Sequence, residues 1–270
     1  MTLHGNIRVL HIRITYLHCR NQNVKYKFLY LFAITHFGES LEREELKKLA
    51  GEKAVEHIED GMIVGLGTGS TVEYTLRKLG QLHRDGLKIQ GIPTSIHTQR
   101  VAKEENIPLT TLEENPVIDL TIDGADEVDS DLNLIKGGGG ALTREKIIAF
   151  NSKKVIIVID DSKIVKALGI DIPLPVEVVK FGWTSTKKTL EEFGCNVERR
   201  KIMGDEPYIT DNSNYILDCE FEKINNPEQM EIDINNIPGV AENGLFIGLV
   251  NEVIVGGKQG ILTLNQETVV

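Results

Sequence analysis

Two short stretches contain the side chains that could do chemistry in this chain. The first, Asp123-Gly-Ala-Asp-Glu-Val-Asp129, places carboxylates directly after an apolar run. The second, Lys136-Gly-Gly-Gly-Gly-Ala-Leu-Thr-Arg-Glu-Lys146, joins a lysine and four glycines to a helical pattern that carries Glu145. Carboxylates, a cation and free backbone N–H groups are what proton transfer on an anionic substrate requires. The two stretches therefore predict an enzyme site.

A glycine-rich loop, Gly65-Leu-Gly-Thr-Gly-Ser-Thr71, follows a predicted strand and opens a predicted helix. It does not fit the dinucleotide pattern G-x-G-x-x-G, because Ser70 stands where the third glycine would be, and no lysine precedes Ser70 as in a Walker A loop. The remaining interpretations are a phosphate site at a helix N-terminus and an ordinary strand-to-helix turn.

Each charged residue of the two stretches also has a structural interpretation. Asp123 and Asp126 could be turn or capping residues, and Glu145 and Lys136 could be solvated charges. The glycine run is harder to explain in this way, because glycine costs chain entropy unless the backbone must approach something closely. We expect no catalytic role for the other charges of these stretches, which are Glu127, Asp129, Arg144 and Lys146.

Strand and helix patterns alternate along the chain from residue 40 to residue 160. Predicted helices cover residues 40–58, 70–82, 97–106 and 141–151, and predicted strands cover 62–66, 88–92, 117–122, 132–135 and 155–159. This alternation predicts an α/β fold with a mostly parallel, Rossmann-like sheet and helices on both faces.

The pattern changes near Pro173. A strand at 176–179, a helix at 185–193, two hairpin strands around residues 211–214 and a helix after Pro227 indicate an inserted, smaller α+β domain. Buried-strand segments at 244–250 and 252–257 are expected to rejoin the first sheet. The predicted division is an N-terminal extension at 1–38, an α/β catalytic domain at 39–171 and 242–270, and an α+β domain at 172–241.

Composition excludes several classes of protein. The net charge of −10 disfavours nucleic acid as a partner, and no apolar run is long enough to cross a membrane. Cys19, Cys195 and Cys219 are far apart and form no C-x-x-C pair, which disfavours a disulfide framework or a zinc site. The dispersed histidines His57, His83 and His97 likewise disfavour a metal site. We expect a cytoplasmic enzyme with no metal and no cofactor.

Residues 1–38 differ in charge from the rest of the chain. They carry five lysines or arginines and no acidic residue. We expect this segment to lie outside the enzyme fold, and organelle targeting is the less favoured alternative.

Six motifs together carry a family resemblance. They are G-x-G-T-G-S-T, P-T-S, D-G-A-D-E-V-D, K-G-G-G-G-A-L-T-R-E-K, D-x-S-K and P-L-P-V-E-V. In this order, from about residue 42 to the C-terminus, they resemble ribose-5-phosphate isomerases of type A. The resemblance implies metal-free interconversion of D-ribose 5-phosphate and D-ribulose 5-phosphate through an enediolate, by a homodimer or homotetramer.

The resemblance also implies roles for particular residues. Glu145 matches the base that moves a proton between carbons, Lys136 would stabilise the developing charge, and Asp123 and Asp126 would assist ring opening and move hydroxyl protons. The implied substrate-binding residues are Thr68, Gly69, Ser70, Thr71, Asp123, Gly124, Ala125, Asp126, Lys136, Gly137, Gly138, Gly139 and Lys163.

Two other functions stay open on the sequence. A sugar-phosphate-sensing domain of a regulator would need a DNA-binding module, and residues 1–38 show no helix-turn-helix pattern. The other is a deaminase, lactonase or coenzyme A transferase on the same architecture, which turnover of ribose 5-phosphate without coenzyme A or ammonia release would separate from an isomerase.

Overall fold

The computed structural model describes residues 42–265, which contain six α-helices and thirteen strands. Helix α1 covers residues 42–54 and continues into a 3-10 turn at Val55–His57. The other helices are α2 (Ser70–Arg84), α3 (Ile96–Glu104), α4 (Leu142–Phe150), α5 (Trp183–Glu191) and α6 (Pro227–Asn235). The strands are β1 (Ile63–Leu66), β2 (Gln90–Pro93), β3 (Leu120–Asp123), β4 (Glu127–Val128), β5 (Leu134–Ile135), β6 (Val155–Asp160), β7 (Leu174–Val178), β8 (Asn196–Arg199), β9 (Tyr215–Glu220), β10 (Val240–Asn243), β11 (Leu245–Phe246), β12 (Glu252–Gly257) and β13 (Gly260–Asn265).

The largest sheet has the strand order β13-β12-β6-β3-β1-β2. Neighbouring strands are parallel except β13, which is antiparallel to β12. Every residue of β6 is buried, as expected for a central parallel strand that is covered on both faces. The predicted α/β fold with a mostly parallel sheet is therefore confirmed.

The order in which strands are added to this sheet reverses at β1. Strand β2 pairs with one side of β1, and β3 pairs with the other side. In open α/β sheets such a reversal leaves a crevice at the carboxyl ends of the strands, where ligands bind. Gly67 follows β1 at this crevice, and a Cβ there would lie 2.2 Å from Asp123 Oδ1. Only glycine lets the loop after β1 pass so close to the end of β3.

Two antiparallel sheets complete the fold. One has the order β10-β7-β9-β8 and encloses an apolar cluster with α5 and α6, which includes Val176, Leu190, Leu217 and Ile234. The other has the order β11-β5-β4. Strand β12 joins the large sheet, as predicted for residues 252–257. The same prediction for residues 244–250 is wrong, because Leu245 and Phe246 form β11, which pairs with β5 in the small sheet. The division into domains at 39–171, 172–241 and 242–270 stays a prediction, and the 1–38 extension lies outside the described residues.

Two hairpin strands were predicted around residues 211–214, and the prediction of the first is wrong because no strand directly precedes this turn. Strand β9 does follow the turn, but its antiparallel partners are β7 and β8. The buried carboxylate of Glu177 explains the difference. It accepts hydrogen bonds from the side chains of Thr210, Asn212 and Asn214, which fold this segment around the carboxylate instead of extending it.

No helix within residues 42–265 is both long and apolar enough to cross a membrane. Cys195 and Cys219 are buried thiols that are not joined in a disulfide, and Cys19 lies outside the described part of the chain.

Candidate active site

A pocket of about 190 Å³ lies at the carboxyl ends of β1, β3 and β6. Its volume is below the roughly 300–1,000 Å³ of pockets for drug-sized ligands and suits a small metabolite. The predicted residues that line it are Thr68, Gly69, Ser70, Thr71, Gly124, Ala125, Asp126, Lys136, Gly137, Glu145 and Lys163. Asp123, Gly138 and Gly139 are adjacent to these residues but do not form its wall.

Three charged side chains meet at the inner end of this pocket. Lys136 Nζ is 3.1 Å from Asp123 Oδ2 and 3.2 Å from Glu145 Oε1. Asp123 ends β3, Lys136 directly follows β5, and Glu145 lies in the first turn of α4. Each of the three residues is at most 3% exposed. Three separate elements thus bring one cation and two carboxylates together away from bulk water.

Burial and the unequal charges shift the protonation of this cluster. Burial, followed by the negative charge of Asp123, raises the pKa of Glu145 to about 8, although Lys136 acts in the opposite direction. Burial alone would lower the pKa of Lys136, but the charges of Asp123 and Glu145 outweigh it and raise that pKa. Lys136 therefore stays an ammonium ion, and Glu145 can take and release a proton near neutral pH.

Glu145 has one oxygen without a partner. Its Oε1 faces Lys136, whereas its Oε2 is buried and has no hydrogen-bond partner among residues 42–265. Buried polar atoms are normally hydrogen-bonded, so an unbonded carboxylate oxygen in a pocket wall points to a functional group.

The two aspartates are held by backbone N–H groups. Asp123 Oδ1 accepts hydrogen bonds from the N–H groups of Thr68 and Gly124, at 3.0 and 2.7 Å. Asp126 Oδ2 accepts one from the N–H of Gly138 at 2.7 Å. These bonds fix the orientation of both carboxylates and leave Asp126 in the pocket wall.

The glycine run curves around the pocket in conformations that favour glycine. Gly137 and Gly140 have φ angles of +107° and +80°. A Cβ on Gly140 would lie 2.3 Å from Tyr208 Oη, so no other residue fits there. The tyrosine hydroxyl donates a hydrogen bond to the carbonyl of Gly139 at 3.1 Å. The run is therefore packed against the part of the chain that follows β8.

Positive charge also lines the pocket. Ser70 and Thr71 begin α2, whose N-terminal N–H groups and dipole favour an anion. Lys163, in a short turn after β6, lies on the same wall. Arg43 and Lys47 of α1 also line the pocket and were not predicted. Three basic side chains and a helix N-terminus thus line the same pocket as Asp126 and Glu145.

The side chain of Thr68 belongs to a cluster of hydroxyl groups beside the pocket. Its Oγ1 lies 2.7 Å from Thr94 Oγ1, 2.8 Å from Ser95 Oγ and 3.0 Å from Thr98 Oγ1. Thr98 also donates to the carbonyl of Gly67 at 2.8 Å. This cluster connects the loop after β1 to the start of α3 and fixes the loop.

The charges that were expected to be non-catalytic lie outside the pocket wall. Glu127 accepts backbone N–H groups of Gly169, Asp171 and Ile172, and Asp129 accepts those of Asp131 and Asn133. Arg144 bonds to Asn212 and to the carbonyl of Asp211, and Lys146 pairs with Glu231 and Glu242. Glu127, Arg144 and Lys146 thus connect distant segments of the fold, and Asp129 closes a local turn. Within residues 42–265, no group of three or more His, Cys, Asp or Glu side chains is arranged as metal ligands.

The sequence of this chain has close relatives. The profile of the family described as Ribose 5-phosphate isomerase A (phosphoriboisomerase A) matches residues 90–260. Ribose-5-phosphate isomerase A of Bacillus mycoides is 51% identical over 217 residues, which are 80% of this chain and 97% of the relative. This chain belongs to the ribose 5-phosphate isomerase A family. The predicted family is confirmed.

Solved structures of the ribose 5-phosphate isomerase A family agree with the fold. Ribose 5-phosphate isomerase from Plasmodium falciparum is 42% identical, with a TM-score of 0.80, and the match covers 83% of this chain and 99% of that one. A D-ribose-5-phosphate isomerase in complex with phospho-erythronic acid is 43% identical, with a TM-score of 0.81 and coverage of 83% and 99%.

Arg43 and Lys47 are the basic pocket residues that sequence reasoning missed. The other lining residues that it missed are Val158, Ile159, Asp160 and Ser162. Arg43 and Lys47 lie on a helix whose pattern of acidic and basic residues is typical of a solvated surface, so no local signal distinguishes them. Lys47 also pairs with Glu44 at 2.8 Å, as many surface lysines do.

Proposed function

We propose that this chain is a ribose-5-phosphate isomerase, which interconverts D-ribose 5-phosphate and D-ribulose 5-phosphate in the non-oxidative pentose phosphate pathway. The observation that carries the proposal is Glu145, a buried carboxylate with one unbonded oxygen, a pKa raised to about 8 and an ammonium group beside it. Membership of the family agrees with this activity and gives no support to a sensor domain, deaminase, lactonase or coenzyme A transferase.

The isomerisation requires one base that serves two neighbouring carbons. Glu145 takes the proton from C2 of the open-chain aldose, and the carbonyl electrons move onto the C1 oxygen to give an enediolate. Return of the proton to C1, together with transfer of the hydroxyl proton from O2 to O1, forms the ketose. A base works best when its pKa is near the working pH, and the raised pKa of Glu145 meets this condition.

Negative charge develops on the substrate oxygens during this step. Lys136 Nζ is 3.2 Å from the carboxylate that acts as base, so it lies close to the reacting atoms. A preorganised cation in a buried site stabilises such charge more strongly than water does.

Asp123 and Asp126 complete the proton transfers. Ring opening and the exchange of hydroxyl and carbonyl groups require protons to move between substrate oxygens. Asp126 lies in the pocket wall, and Asp123 contacts Lys136, so each carboxylate is near one part of this path. Their backbone hydrogen bonds keep both in place through the reaction.

The phosphate binds at the outer end of the pocket. Gly69, Ser70 and Thr71 offer backbone and hydroxyl donors at the start of α2, and Lys163 supplies a cation. Arg43 and Lys47 extend this cradle. The phosphate is thus held away from the buried carboxylates, and the carbonyl end of the sugar reaches Glu145.

The remaining parts of the proposal concern the assembly and its surroundings. We propose a homodimer or homotetramer that acts in the cytoplasm on a sugar phosphate, with no metal, cofactor, nucleic acid or membrane partner. Family membership supports the class of substrate.

A ketose-formation assay tests the activity. Ribose 5-phosphate is incubated with the full chain, and with a chain that starts at Glu39, in the presence and absence of a chelator. We expect equal turnover in all four reactions, without release of ammonia or need for coenzyme A. Absence of ketose would contradict the proposed activity, and loss of turnover with chelator would contradict the metal-free mechanism.

The activity should depend on pH through Glu145. Because the base must be ionised and its pKa is raised to about 8, kcat/KM should rise with pH and level off above that value. The measurement is kcat/KM for ribose 5-phosphate from about pH 6 to 9. A profile without a rise near pH 8 would show that another group limits the reaction.

Removal of the Lys47 ammonium should weaken binding and leave the chemical step intact. We expect Lys47→Met to raise KM roughly 10-fold or more, with kcat within about twofold, because a charge-assisted hydrogen bond contributes about 1.5–3 kcal/mol. Lys48→Met on the same helix is the matched control, since Lys48 pairs with Glu52 and does not line the pocket. A fall in kcat for Lys47→Met would place this lysine in the chemical step.

A further inference from the structure

Arg200 holds the glycine run from outside the pocket. It follows β8, and its guanidinium contacts two groups at once. Its Nε and Nη2 bind the two carboxylate oxygens of Asp218, with Nε at 2.9 Å. Its Nη1 donates to the carbonyls of Gly137 and Gly138, at 2.7 and 3.0 Å. Arg200 is not part of the pocket wall.

The peptide between Gly137 and Gly138 connects Arg200 to Asp126. A trans peptide is planar, and its C=O and N–H point in opposite directions. Here the C=O of Gly137 faces Arg200, and the N–H of Gly138 donates to Asp126 Oδ2 at 2.7 Å. The two charged side chains thus bind opposite edges of one peptide group. Rotation of that peptide would break both bonds together.

A run of four glycines cannot hold this orientation by itself. Glycine has access to most of backbone conformational space, so the turn bond within the run, from the N–H of Gly140 to the carbonyl of Gly137 at 2.9 Å, is supplemented by external contacts. Tyr208 supplies one such contact, through its bond to the carbonyl of Gly139. Arg200 supplies two more, and Asp218 fixes the fork that makes them. A planar guanidinium suits this arrangement because its donors lie in fixed directions.

We propose that Arg200 is a positioning residue for the isomerisation. It sets the Gly137–Gly138 peptide and, through the N–H of Gly138, the carboxylate of Asp126. The proposal rests on the proposed function, since the orientation of Asp126 matters only if this carboxylate moves substrate protons. Arg200 therefore acts on kcat, whereas the phosphate end of the pocket sets most of the substrate affinity.

The test compares Arg200→Ala and Arg200→Lys with the wild type and with Arg199→Ala. Arg199 is the matched control, because it is the neighbouring arginine, stacks on Trp183 and Tyr215 at 4.7 and 5.0 Å, and makes no bond to the glycine run. Steady-state kinetics on ribose 5-phosphate give kcat and KM, and inhibition by phospho-erythronic acid reports binding. Thermal unfolding identifies a temperature at which every variant is folded.

We expect Arg200→Ala to lower kcat by about 10- to 100-fold, because a displacement of 1 Å in an active site can cost about 10²-fold. KM and inhibition by phospho-erythronic acid should stay within about threefold of the wild type. Arg200→Lys should recover part of kcat, and Arg199→Ala should keep the wild-type value.

Three outcomes would overturn the proposal for Arg200. They are an unchanged kcat in Arg200→Ala, an equal loss of kcat in Arg199→Ala, and a change confined to KM. If Arg200→Ala does not fold, the same comparison applies to Arg200→Lys. An inactive wild-type chain would instead overturn the isomerase activity and this proposal with it, so the two failures are distinguishable.

Discussion

Glu145→Gln is expected to lower kcat for ribose 5-phosphate by about 10²–10⁴, because general acid–base catalysis contributes about that factor. Glutamine has nearly the shape of glutamate but cannot accept the carbon-bound proton. The substrate should still bind, since the phosphate contacts proposed above involve other residues of the pocket wall. The measurement is steady-state turnover of ribose 5-phosphate, in which kcat should fall and KM should change little.

The matched control for this variant is Glu127→Gln. Glu127 is also a buried carboxylate, at 1% exposed, but it accepts backbone N–H groups outside the pocket. Glu127→Gln should lower the thermal unfolding temperature and leave kcat of the folded enzyme unchanged. Glu145→Gln should lower kcat and leave the thermal unfolding temperature nearly unchanged. Near-normal turnover by Glu145→Gln would remove Glu145 as the base.

Lys136→Ala is expected to lower kcat by about 10² or more, because it removes a preorganised charge that stabilises the enediolate. It also leaves Asp123 and Glu145 without the cation that lies between them. The loss of one partner of a buried ion pair typically costs about 3–5 kcal/mol of stability. The pKa of Glu145 should rise further, because Lys136 now lowers it. The pH at which kcat/KM levels off should therefore move upward.

Lys146→Ala is the control for the loss of a buried ammonium group. Lys146 belongs to the same helix as Glu145 and pairs with Glu231 and Glu242 outside the pocket wall. The two lysines even share a neighbour, with Nζ atoms 5.5 and 5.1 Å from the centre of the Phe246 ring. We expect Lys146→Ala to reduce stability and keep the pH profile. If Lys136→Ala raises KM alone, Lys136 contributes only to binding.

Much of the fold could be predicted from local patterns. The apolar run that became β6 and the amphipathic segment that became α2 are long and periodic, so their type was evident. The segment at residues 208–214 was not predictable in this way. Its conformation depends on hydrogen bonds to Glu177, which is about 35 residues away in the chain and belongs to another element.

The residues of the candidate site also fall into two groups, those that local sequence patterns predicted and those that they did not. Glu145, Lys136, Asp123 and Asp126 were found because each belongs to a short motif with an unusual combination of residue types. Lys47 and Arg200 were not found, because each is an ordinary surface-like residue in its local sequence. Lys47 lines the pocket because α1 packs beside it. Arg200 contacts the glycine run because the end of β8 lies next to that run.

The motifs show residue types and their local order directly, so the amino-acid sequence establishes which groups are available for chemistry. It also determined the family and the class of fold. The pKa values and hydrogen bonding of those groups depend on the folded arrangement of distant segments. Glu145 acquires its raised pKa from burial and from Asp123, which another strand brings close, and its free oxygen from the absence of a neighbouring donor among the described residues. Such properties depend on distances between segments far apart in the chain, and no local pattern encodes those distances.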